Sequence, residues 1–115
     1  MVHYIGVILD ESRYEQIKGT PIEEKVQSIF GGALRMIVVE VPEDKSEQIL
    51  KAFDRARIDS RGFIEDVPVA FRRAVFEEIV KNKSLDIIDK VLERLPEIQE
   101  LAKKEDEYIP PPEIE

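Results

Sequence analysis

The chain has 115 residues, 43% of them apolar and 37% charged, with a formal net charge of −8. One domain is the natural reading, with enough apolar residues for a core, and the acidic balance argues against duplex nucleic acid or anionic membranes as partners. With no cysteine, disulfides, thiolate metal sites and cysteine nucleophiles are excluded, and no signal layout or membrane-length apolar run appears, so a cytoplasmic location is expected.

The abundance of glutamate beside few thermolabile residues suggests a heat-stable source. Val2 to Leu9 is apolar on both alternating faces and reads as a central strand. Asp10 ends it, and Ser12 with Glu15 fits a capping box for a short helix stopped by Gly19. Thr20-Pro21 opens a second helix, with Ile22, Val26, Ile29 and Phe30 as one buried stripe. Gly31-Gly32 ends that helix and turns the chain into a second strand, Leu34 to Val41.

Pro42 ends the second strand. Asp44 and Glu47 cap a helix over 45–58 whose buried face carries Ile49, Phe53 and Ala56. A turn at 58–62 leads to a third strand ending near Val67, polar enough for an edge. Beyond Pro68 the pattern is helical, with Phe71, Val75 and Ile79 on one stripe. Ser84 reads as the cap of a further helix with Leu85, Ile88, Leu92 and Leu95 as its seam, and Pro96 either kinks that helix or starts another. The domain is placed at 1–106. An acidic, proline-rich tail over 107–115 is expected to add nothing to folding.

The order β-α-α-β-α-β-α-α points to a small layered α/β domain with a three-stranded, mainly parallel sheet, because helical crossovers return strands in parallel. A ferredoxin-like α+β sheet is the alternative. Parallel strands would gather Asp10, Glu11, Ser12, Asp44 and Asp66 at one sheet edge, where such folds bind ligands. Carboxylates there suit Mg²⁺ or Ca²⁺, although Asp44 and Ser12 already serve as caps and no metal-loop spacing is present. Five of the eight arginines, Arg55, Arg57, Arg61, Arg72 and Arg73, form either an anion or acidic-partner site or an internal ion-pair network with the interleaved acids.

His3 has no orienting partner nearby in sequence and reads as structural. No phosphate loop or serine elbow is present, and no cofactor is implied. The C-terminal helices carry more apolar residues than one stripe needs: Val91 and Ile98 point away from the Leu85-Ile88-Leu92-Leu95 seam. A homodimer through these helices would cover them, and Val91→Glu should then give a folded monomer. The functional classes, in order, are a non-catalytic interaction or oligomerising module, a small-ligand or divalent-ion-sensing domain, and an enzyme using an aspartate pair such as Asp10 and Asp66.

Overall fold

The computed structural model describes residues 1–107; the tail from Tyr108 onward lies outside the described residues. The first strand, β1 (Val2–Leu9), is followed by helix α1 (Glu11–Ile17) and a 3-10 turn at Pro21–Lys25. A short strand β2 (Gln27–Ile29), a second 3-10 turn at Phe30–Gly32 and the long strand β3 (Leu34–Pro42) come next. Helix α2 (Glu43–Ala52) precedes a hairpin of β4 (Arg57–Ile58) and β5 (Ile64–Glu65). Helices α3 (Val69–Asn82), α4 (Ile88–Glu93) and α5 (Leu95–Glu107) complete the described chain.

The main sheet has the order β1-β3-β2 and is antiparallel throughout. This corrects the expected parallel α/β sheet: the fold is a small α+β domain. The reason is β2. The stretch expected as a helix stripe leaves Val26 and Ile29 half-buried and Phe30 exposed, so it has no single inward face. Its β-branched and serine residues are weak helix formers. They pair instead with Leu34–Met36 of β3, and that hairpin reverses β3 against β1. The expected third strand also shrinks to the two residues of β5, touching the main sheet at a single parallel bridge between Tyr4 and Phe63.

Along β1 and β3 alternate residues face the helices. Ile5, Val7, Ile37, Val39 and Val41 have no exposed surface. They pack with Ile17 of α1, Ile49 of α2 and Phe71, Val75 and Ile79 of α3 in one core, and the α3 stripe is the one its spacing predicts. Phe53 meets Phe71 edge-on, with ring centroids 5.5 Å apart, a favoured aromatic geometry.

Several caps differ from expectation. Asp10, not Ser12, caps α1, its Oδ1 accepting from the Arg13 amide at 2.8 Å. Helix α2 has no side-chain cap and stops at Ala52. Thr20 does cap its turn, accepting from the Ile22 amide. Ser84 accepts from the Asp86 amide in a turn, and α4 begins only at Ile88. Pro96 lies in the first turn of a separate helix, α5, where its missing N–H costs nothing.

The C-terminal helices spend their apolar surface inside the chain. Val91 and Ile98 are fully buried, as are Ile87 and nearly all of Ile88; α4 and α5 lie against α3. Leu85, Leu92 and Leu95 are half-buried and pack against the same core. The ground for a homodimer through these helices is therefore removed. Val91→Glu should not give a folded monomer. A carboxylate placed at that site should cost about 4 kcal/mol or more, enough to abolish most of the stability of a small domain. Loss of the cooperative urea transition by circular dichroism checks this, with Ile8→Glu on the outer face of β1 as a control that stays folded.

Candidate functional site

The antiparallel sheet disperses the expected carboxylate edge. Leu9 lies opposite Arg35 and Val2 opposite Pro42, so Asp10, Glu11 and Ser12 leave one end of the sheet while Asp44 follows the other. Asp10 is engaged as a helix cap. Asp66 follows the small hairpin and accepts from Arg57 Nε at 2.8 Å. Among the described residues no group of three or more His, Cys, Asp or Glu side chains could hold a metal ion.

The arginines also go separate ways. Arg57 pairs with Glu65 and Asp66, Arg61 with Asp59, and Arg73 with Glu105. Arg72 reaches across to the Gly6 carbonyl, and burial lowers its pKa. Arg55 lines a wide groove of about 950 Å³ with Phe53, Asp54, Asp66 and Lys103, between the end of α2 and α5.

His3 does have a partner, 43 residues away and invisible in local sequence. Its Nδ1 lies 2.8 Å from Ser46 Oγ, and the Ser46 hydroxyl is 2.8 Å from the Glu43 carbonyl. That carbonyl can only accept, so the single hydroxyl proton goes to it. His3 Nδ1 must then carry a proton and donate to Ser46. A serine nucleophile needs the opposite polarity, with imidazole accepting the hydroxyl proton. The buried pair therefore ties β1 to α2.

The second face of the main sheet is the exposed one. Val2, Ile8 and Leu34 are 41%, 43% and 39% exposed, and Tyr4, Met36 and Val38 are half-buried beside them. Gly6 lies in the middle, where an added Cβ would come within 2.9 Å of Met36 Sδ. Phe63 stacks against Tyr4 with centroids 5.4 Å apart, under the Arg61 guanidinium. At the β2–β3 turn Phe30 is 78% exposed and holds φ at 52°, a left-handed conformation that is uncommon for a bulky residue.

The outer edge of β1 is partly covered. Tyr4 donates to the Gly62 carbonyl at 2.9 Å, Arg72 covers the Gly6 carbonyl and Arg13 donates to the Ile8 carbonyl at 3.1 Å. The Asp59 turn sets Gly62 in place: its carboxylate accepts from the Arg61 and Phe63 amides at 2.8 and 2.9 Å. Those bonds favour the charged form, and the one from Phe63 does most to hold the Asp59 pKa below its usual value.

Beyond β3 a groove of about 440 Å³ opens beside Val38, Glu40, Lys45, Leu85 and Asp86. Arg94 sits between α4 and α5. Arg94 bonds Glu77 and Glu78 of α3 at 3.0 and 3.1 Å and Glu97 of α5 at 3.2 Å. These carboxylates, Glu97 foremost, raise its pKa. Its role as a hub depends on residues 16 and 17 positions apart, which is why no local motif marks it.

A family profile matches residues 3–92, from β1 into α4. The chain belongs to DUF6955, a family of unknown function. Neither a curated protein nor a solved structure matches it. The uncovered sheet face and the groove beside β3 are built almost wholly within the DUF6955 span, whereas the wider groove borrows Gln99, Glu100 and Lys103 from α5 outside it. No described helix is long and apolar enough to cross a membrane.

Glu78 is buried, and Arg94→Met leaves its carboxylate, among the described residues, with only Asn82 as a neutral partner. A loss of roughly 2–4 kcal/mol is expected in urea unfolding, partly recovered by adding Glu78→Gln. Asp59 is ordinarily a group with a pKa near 3.9, and its folded value lies lower. Its stabilisation is complete above that ordinary pKa and fades as pH falls through the folded one. Asp59→Ala should therefore melt below the unsubstituted chain at pH 7, with the gap narrowing below about pH 4.

Proposed function

We propose that this DUF6955 chain is a non-catalytic protein-interaction module that binds its partner through the uncovered side of the main sheet. The observation that carries the reading is the row of exposed and half-exposed apolar side chains along that face, from Val2 to Leu34. A contiguous apolar patch on one face of a small domain is the usual mark of a contact surface. Phe30 adds support. Its left-handed backbone costs about 1 kcal/mol or more, and its ring gains little burial within the chain in return.

The polarity of the His3–Ser46 pair, the use of Asp10 as a helix cap and the bond of Asp66 to Arg57 favour binding over acid–base or nucleophilic chemistry. The helices expected to carry self-association are turned inward, so the contact surface is assigned to the sheet.

The test uses tagged chain recovered from cells that make the protein naturally. Ile8→Lys with Leu34→Lys, and separately Phe30→Gly, should keep the melting temperature within a few degrees, since exposed substitutions shift stability by about 0.5 kcal/mol each. Both should lose the protein that co-purifies with the unsubstituted chain, whether a second copy or another polypeptide. An unchanged co-purification profile, or unfolding of the doubly substituted chain, would overturn the assignment.

A further inference from the structure

The two sides of the main sheet's ladder end differently. On β1 three of the groups that point away from β3 are engaged: the Tyr4 amide by Gly62, the Gly6 carbonyl by Arg72 and the Ile8 carbonyl by Arg13. Such engagement removes a template for strand pairing. Because the Tyr4 amide points to Gly62, the even-numbered residues of β1 face outward and the odd-numbered ones bond β3. Their partners are also odd on β3: Val41, Val39, Ile37 and Arg35. The even residues of β3 therefore present their N–H and C=O groups to the other side.

There Leu34 and Met36 meet β2. Val38 and Glu40 meet nothing among the described residues, leaving two amides and two carbonyls on an open edge. The chain does not extend β2 to reach them. Its 3-10 turn closes just before, with the Val26 amide returning to the Glu23 carbonyl at 3.3 Å.

Beside this edge lies the 440 Å³ groove, whose apolar lining includes Val38, Leu85 and Ile88. Three carboxylates stand on its rim: Glu40, Asp86 and Asp89. Lys45, the rim's one cation among the described residues, is bonded to Asp89. Glu40 and Asp86 have no ion-pair partner among the described residues.

We propose that the Val38–Glu40 edge of β3 is a strand-addition site for an extended basic segment of a partner protein. This rests on the interaction-module reading and names the chemistry of the partner. The added strand would bond the four free backbone groups. Its Lys or Arg side chains would share the face of Glu40, and the β-branched residues between them would turn toward Leu85 and Ile88. Main-chain bonds supply affinity in such additions, and alternate side chains supply specificity.

The probe is an acetylated, amidated hexapeptide of alternating Lys and Val, with a Glu-Val hexapeptide as its counterpart. In the free chain the Val38 and Glu40 amides should exchange rapidly while Ile37 and Val39 are protected. Saturating Lys-Val peptide should slow Val38 and Glu40 roughly tenfold or more, the Glu-Val peptide should bind roughly tenfold more weakly, and Glu40→Pro should weaken Lys-Val binding by about tenfold. Proline there removes an outward donor and no β1–β3 bond; Glu40→Gln, which keeps the amide, should weaken binding less. If Glu40→Pro fails to fold, Asp86→Lys provides the second test and should also weaken the Lys-Val peptide.

Unslowed exchange at millimolar peptide, equal binding of both peptides, or indifference to these substitutions would overturn the proposal. So would concentration-dependent protection of Val38 and Glu40 without peptide, which would give the edge to a second copy. Ile8→Lys with Leu34→Lys leaves the edge intact and should still bind the Lys-Val peptide. Loss of the native partner in that variant, with no peptide binding by any form, would sink this inference alone; retained peptide binding with no effect on the native partner would sink the sheet-face reading alone.

Discussion

The antiparallel ladder between β1 and β3 is the constraint on which the rest of the structure depends. It pairs Val2 through Leu9 with Pro42 through Arg35, and its two-residue period sends one set of side chains to the helices and the other outward. A slip of one residue would invert both sets. The register is held by burial, since Ile5, Val7, Ile37, Val39 and Val41 have no exposed surface. The His3–Ser46 bond adds a polar check at one end, because a shifted strand would leave a buried imidazole without its acceptor.

From that register the asymmetry of the molecule follows. Helices α2 and α3 cover the inner face, and α4 and α5 close over α3. Among the described residues the outer face has Phe63 and its turn laid across one margin. The same parity decides which backbone groups meet solvent. On the β1 side three of them are taken up by the Asp59 turn and two arginines, and on the β3 side those of Val38 and Glu40 have no partner among the described residues. The arginines clustered in sequence are thus distributed by function of place: Arg72 guards an edge, Arg57 and Arg61 brace the small hairpin, and Arg73 ties α3 to α5.

Much of the helical part was legible in the sequence. The Phe71-Val75-Ile79 spacing identifies α3 because one helix face is buried against one core, and Pro96 marks a helix start because its fixed φ and missing N–H suit that position. The apolar runs of β1 and β3 are equally plain. The site was less legible. A shared edge for Asp10, Asp44 and Asp66 requires parallel strands, and the antiparallel β3 puts Asp10 and Asp44 at opposite ends. Arg94 and the His3–Ser46 pair were hidden because each joins residues distant along the chain.

By itself the sequence determined the mixture of helices and strands, the two long strands, the α3 core stripe and the acidic character, all of which follow from local periodicity and charge. Only the tertiary structure decided strand direction, because the segment Val26–Ile29 has marginal local preference and takes its conformation from the β3 edge it pairs with. The fate of Val91 and Ile98 was also decided there: an apolar residue looks the same in sequence whether a neighbouring helix or another chain covers it. The outer face of β1 and the open edge at Val38–Glu40 belong to the same class, since exposure is a property of what fails to pack above a strand.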